Sequence, residues 1–129
     1  MCIRDREYAY DVHGADGVHS SLLQRLRQPH PPTAVYAEDE LAAIGAERAV
    51  ISAGLRVPED VSVITCLNAR FMRLVAPHLT ALNVRQNEVA AQAAHLRARL
   101  LRGEEVEMKQ MYLGPILEER GSAAPPPRG

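Results

Sequence analysis

An α/β fold with parallel strands is predicted for this chain on three observations. Residues 33–37 (TAVYA) form a short β-branched and aromatic run that stops at three acids, and a small-residue helical pattern begins at once. Residues 61–66 (VSVITC) form another such run after a short polar link containing Pro58. Both runs are almost continuously apolar, as in strands buried on both faces of a parallel sheet. Strand, helix and strand joined by short links give a right-handed βαβ crossover. In open sheets of this kind ligands are held where the carboxyl end of a strand passes to a helix N-terminus.

The bulk properties are consistent with one soluble domain. The chain has 129 residues, 47% hydrophobic and 24% charged, which argues against wholesale disorder. Fifteen basic residues against sixteen acidic ones leave a net charge of -1, so the segment has no electrostatic footprint for nucleic acid. Any DNA contact is expected to lie elsewhere. The two cysteines, Cys2 and Cys66, provide neither a disulfide framework nor a CxxC pair, in keeping with a reducing, cytoplasmic setting. No apolar run reaches membrane-spanning length. Residues 1–6 (MCIRDR) lack a signal-peptide core and fit nothing that follows, and are read as an unassigned, artefactual start.

In chain order, residues 7–11 (EYAYD) read as a short strand. A helix is expected from residue 16 or 17 to residue 27, with Val18, Leu22, Leu23 and Leu26 on its apolar face. The prolines of residues 28–32 end it. The helix after the first apolar run spans residues 40–53, with Asp39 as N-cap and Gly54 as C-terminal stop. Residues 79–82 read as a short strand. A helix capped by Asn87 runs to Arg102, with Val89, Ala93, Leu96 and Leu100 in one stripe. Residues 106–112 are expected to be extended, 113–119 less regular, and the proline-rich end from residue 121 disordered.

Five stretches in this order, over about ninety residues, carry a family resemblance: PTAVYA at 32–37, AIGA at 43–46, GLRVPEDVSVI at 54–64, PHLTAL at 77–82 and LGPILEERGS at 113–122. Together they are similar to the effector-binding domain of LacI/GalR-type transcriptional regulators, whose fold is that of the type I periplasmic sugar-binding proteins. The resemblance implies a parallel-sheet βαβ lobe of a periplasmic-binding-protein-like type I fold, incomplete, comprising mostly the second of two lobes. On this reading residues 7–121 are a partial sensor domain and 122–129 a disordered tail. The helix-turn-helix and most of the first lobe are absent, so a fragment is expected. The implied function is ligand sensing in a DNA-binding regulator, where an effector between the lobes changes operator binding by a homodimer. The alternative is a solute-binding protein of an uptake system, monomeric and exported. No enzymatic constellation and no cofactor are expected.

The same resemblance nominates the sites. Asp39 and Glu40 occupy the strand-to-helix turn where the family carries an Asn-Asp pair whose Asn reaches the effector. Asp39 is either the helix cap, an acceptor for ligand hydroxyls or amines, or both. Leu67 stands where the family places a sugar-clamping aspartate, with Asn68 next to it, and Val12 stands where many members place an aromatic ring. An isobutyl group in place of a carboxylate leaves sugar hydroxyls unpaired, so an effector other than a simple hexose is expected. Ile44, Phe71, Leu74 and Val75 match regions that form a two-fold dimer interface, the alternative being ordinary core packing. The five histidines are scattered without paired-ligand spacing, so no metal site is expected.

Overall fold

The computed structural model describes residues 14–66, 76–106 and 110–126. The elements run α1 (Gly14–Leu26), β1 (Ala34–Ala37), α2 (Glu40–Ser52), β2 (Ser62–Cys66), β3 (Thr80–Asn83), α3 (Gln86–Leu101) and β4 (Ile116–Glu118). They build a four-stranded sheet in the order β1-β2-β3-β4. The first two pairings are parallel and the last is antiparallel. The predicted α/β class and βαβ unit are therefore present. The strand expected at residues 7–11 lies outside the described residues.

One face of the sheet makes the core. Side chains alternate across a strand, so Ala37, Val63 and Ala81 face one way, and they are buried to 5%, 0% and 0% exposure. Ala37 and Val63 meet Ala43, Ala46, Ala49 and Val50 of α2 and Leu22 and Leu26 of α1 in a single cluster, which also takes in Val61 and Leu79. Small residues let α2 lie close to both neighbours. At Gly45 the approach is closest, where an added Cβ would sit 2.3 Å from the carbonyl oxygen of Ala15. The two helices run alongside each other, with Arg48 bonding Asp16 at 2.9 Å and His19 bonding Ser52 at 3.1 Å. The proline-rich link after α1 is held by Arg25, whose guanidinium donates to the carbonyls of Pro29 and His30.

Three expectations need correction. Asn87 does not cap α3. The N-cap is Arg85, in the left-handed region with φ 56° and no side-chain capping bond. Asn83 Oδ1 accepts from the Arg85 amide at 2.8 Å, and Arg85 pairs with Glu88, which fixes the start two residues early. The apolar stripe of α3 buries nothing among the described residues, Val89 being 48% and Leu100 61% exposed. Periodicity shows that a helix has an apolar face, and is silent on what meets it. Lastly, the chain past residue 121 is not wholly detached. Ser122 is completely buried and its hydroxyl donates to the Val63 carbonyl and accepts from the Thr80 amide, while Ala124 and Ser62 exchange two bonds. Residues 113–119 contribute only the short β4, and residues 110–112 are not strand.

Glu47 is the exception in the core. It is 3% exposed, and its Oε1 has no hydrogen-bond partner among the described residues. Burial pushes its carboxyl up to about 7 from the ordinary 4.5. The unfolded chain ionises near 4.5, so stability is greatest below that pH and falls as pH rises through about 7. Glu47→Leu is expected to flatten that decline and to stabilise the fold by about 1–3 kcal/mol at slightly alkaline pH, where the buried group is charged and unpaired. Urea unfolding of both proteins across the range from about pH 5 to about pH 8 reads the difference.

Candidate effector site

The strand-to-helix turn is built by Asp39. Its backbone is extended at φ -135° and ψ 170°, its Oδ1 accepts from the Ala42 amide at 2.7 Å, and its carbonyl starts the helix by accepting from the Ala43 amide at 3.0 Å. The capping role is therefore observed. Its second carboxylate oxygen carries no hydrogen bond among the described residues and remains an acceptor. Below it, the fully buried Thr65 hydroxyl lies 2.8 Å from the Cys66 carbonyl and 3.3 Å from the Asp39 carbonyl. That contact ties the turn after β1 to the end of β2.

The register brings the ends of both strands level. Ala37 pairs with Thr65, so the turn carrying Glu38, Asp39 and Glu40 lies level with the end of β2, at the carboxyl end of the two parallel strands. Asp39 and Glu40 are half-buried there and Glu38 is exposed. Leu67, Asn68 and Val12, the other nominated ligand positions, lie outside the described residues. On the sheet face away from α2, Tyr36 stands beside Cys66. Hydrogen bonding with that thiol, then burial and the nearby Glu38, raise the Tyr36 phenol above its ordinary value. The site presents carboxylates and a phenol. Among the described residues no group of three or more His, Cys, Asp or Glu could hold a metal ion.

Asp39→Ala is expected to cost about 1 kcal/mol of stability through loss of the cap, whereas Asp39→Asn, which caps equally well, leaves stability near that of the parent. Chemical denaturation of the two variants separates the capping role from any ligand role.

Of the nominated dimer residues, Ile44 is half-buried on α2, and Phe71, Leu74 and Val75 lie outside the described residues. The sequence reading passed over Leu41 and Ile51, which are 57% and 59% exposed on the same helix. The spacing of Leu41, Ile44 and Ile51 is the signal that exposes this stripe. It also passed over Glu47. Ala43, Ala46, Glu47 and Val50 follow the i, i+3, i+4, i+7 pattern, so periodicity alone places this acid on the buried face.

Known proteins support the family. Residues 3–123 match the periplasmic binding protein-like domain. The transcriptional repressor PurR of Salmonella arizonae is 34% identical over 117 residues, covering 91% of this chain and 34% of that protein. A LacI family transcriptional regulator from Arthrobacter sp. FB24, solved in complex with lactose, superposes with a TM-score of 0.79 at 26% identity, over 86% of this chain and 42% of that one. The dimeric Lac repressor with an 11-residue C-terminal deletion gives a TM-score of 0.80 at 26% identity, over 88% of this chain and 41% of its own. The chain thus spans about a third of the length of its curated relative. It belongs to the periplasmic binding protein-like domain family, as part of the effector-binding domain of the LacI/GalR-type regulators.

Proposed function

We propose that this chain senses a small-molecule effector for a DNA-binding regulator, by supplying one wall of a cleft between two lobes. The observation that carries this is the level ending of β1 and β2 beneath Asp39, which leaves one carboxylate oxygen turned to no described partner. Relatives that are transcriptional regulators support this reading over the solute-binding alternative. The effector binds by favouring one lobe arrangement over another. Operator DNA is bound through a helix-turn-helix outside this chain, and a cytoplasmic location goes with that partner. No helix among the described residues is long and apolar enough to cross a membrane.

The effector offers a hydroxyl or amine to Asp39, because an ionised carboxylate only accepts. Its body is less polar than a hexose, in keeping with Leu67 and Val12. A thermal-shift screen sets simple hexoses against apolar molecules bearing one amine or hydroxyl. The second group is expected to raise the melting temperature, and Asp39→Asn to weaken the response. Stabilisation by a simple hexose would overturn the ligand assignment.

Two copies pair through the α2 face that carries Ile44, as expected from the dimeric relative. With a net charge of -1 the 129-residue chain is expected to show no sequence-specific DNA binding. Fluorescence anisotropy with labelled duplexes at low salt checks this, and a sequence-dependent rise would refute it.

A further inference from the structure

Packing sets α1 and α2 in place, since both bury side chains in the core cluster. α3 is held differently. It buries none of its 16 residues, and no other described element lays an extensive face against it. Its direction relative to the sheet is therefore set at its root, where the chain leaves β3 through residues 84 and 85.

Polar links run in series from the buried start of β3 to the first turn of α3. The Arg120 guanidinium donates to the Leu79 carbonyl at 2.7 Å, and the Arg120 amide donates to the Thr80 hydroxyl at 3.0 Å. Leu79 and Thr80 are 0% and 2% exposed. Arg120 also pairs with Glu118. Glu118 Oε1 accepts from Asn83 Nδ2 at 2.7 Å, across the antiparallel pair of β3 and β4. Asn83 Oδ1 accepts from the Arg85 amide at 2.8 Å, and the Arg85 guanidinium donates to both Glu88 oxygens, at 2.9 Å and 2.5 Å. We propose that Asn83 is a positioning residue: by bridging Glu118 of β4 and the left-handed Arg85 that starts α3, its side-chain amide fixes the direction of α3 against the sheet.

The register explains why an asparagine serves here. Ala81 faces Glu118 and Asn83 faces Ile116, so Asn83 and Glu118 are diagonal neighbours on one face, within reach of long side chains. A primary amide carries donors and an acceptor on one planar tip, so it can donate to the carboxylate and accept from the backbone N–H at once. Arg85, at φ 56°, holds a conformation that a non-glycine residue keeps only where its surroundings dictate it. Bonds to both its amide and its side chain do so. The Arg120 and Glu118 side chains are only 12% and 25% exposed, so water competes poorly for these charge-assisted bonds. A helix held by its root alone turns as a body when that root is loosened. The bridge needs no bound effector, so it stands or falls apart from the effector reading.

Residual dipolar couplings of the backbone amides, measured on the isotope-labelled 129-residue chain, compare the direction of α3 with that of α1, α2 and the sheet. In the parent all of them are expected to fit one alignment tensor. Asn83→Asp keeps the acceptor for the Arg85 amide but sets a second carboxylate against Glu118. Its α3 couplings are expected to shrink and leave the common tensor, while those of α1, α2 and the sheet stay on it. Asn83→Ser, which adds no charge but lacks the reach to Glu118, is expected to release α3 likewise. Adding Glu118→Gln to Asn83→Asp exchanges donor and acceptor across the strand pair and is expected to return α3 to the common tensor. Leu100→Ala, in the exposed stripe of α3, is expected to change nothing. Couplings read direction, so a variant that is merely less stable does not give this pattern. α3 couplings that stay on the common tensor in Asn83→Asp and Asn83→Ser, or that Glu118→Gln does not restore, overturn the role of Asn83. Release of α3 by Leu100→Ala would show that packing holds the helix, and a parent whose α3 is already off the common tensor would show that the bridge does not hold it; either result overturns the assignment as well.

Discussion

Ser122→Ala is expected to destabilise the fold by about 2–4 kcal/mol, because it leaves two buried backbone groups without partners. The Ser122 hydroxyl donates to the Val63 carbonyl at 2.5 Å and accepts from the Thr80 amide at 2.7 Å, in a site with no exposure. β2 and β3 pair only from Ile64 and Thr80 onward. Just before that point Ser122 sits between them, and its own carbonyl accepts from the Val63 amide at 2.8 Å. It thus completes the ladder where the two strands have diverged. Neither group can turn to water once the hydroxyl is gone, so the cost is the desolvation penalty rather than the net value of a hydrogen bond. Truncation after Gly121 is expected to cost more, since it also removes the bonds that Ala124 and Ser62 exchange. Urea unfolding reads both, and a loss below about 1 kcal/mol for Ser122→Ala would show that the site relaxes or admits water.

The same residue shows where sequence reading stops. The βαβ unit was legible because short β-branched runs and an alanine-rich helix with an aspartate cap have local signatures, but β1 is not buried on both faces as expected: Tyr36 is 57% exposed, on the face of the sheet turned away from α2. α2 begins and ends within a residue of expectation, and Asp39 caps it as its side chain requires. Gly54, at φ 77°, follows as the left-handed terminator. The tail had the composition of a disordered end, yet small residues such as Ser122 and Ala124 are those that fit against strand backbones. Their value lies in contacts some sixty residues away in sequence, as between Ser62 and Ala124. No window of local composition contains such a pairing. For α3 the converse holds: the local pattern located the helix, but no residue of its apolar stripe is buried. At the candidate site, Asp39 was legible through both cap chemistry and family resemblance. Glu47 was missed because an acid among alanines reads as a solvated position unless the period is counted residue by residue.

Gly45→Val is expected to cost about 3 kcal/mol or more, and Gly45→Ala about 1–3 kcal/mol, although alanine is the better helix former. In an exposed helix interior the alanine replacement would gain about 1 kcal/mol. Here its Cβ would stand 2.3 Å from the Ala15 carbonyl oxygen, with Ala15 Cα and carbonyl carbon each at 3.0 Å. All three are backbone atoms, so no rotamer change relieves the contact, and α1 must move away from α2 as a body. That displacement separates Asp16 from Arg48 and His19 from Ser52, both held at hydrogen-bond distance, and loosens Leu22 and Leu26 from the core. Such losses outweigh the propensity gain. The consequence reaches the candidate site, since Asp39 caps the start of α2. Thermal unfolding is expected to rank the proteins parent, Gly45→Ala, Gly45→Val in falling order. Hydrogen exchange is expected to show lost protection in α1 before the sheet. An alanine variant as stable as the parent would mean that the two helices are not held this closely in solution.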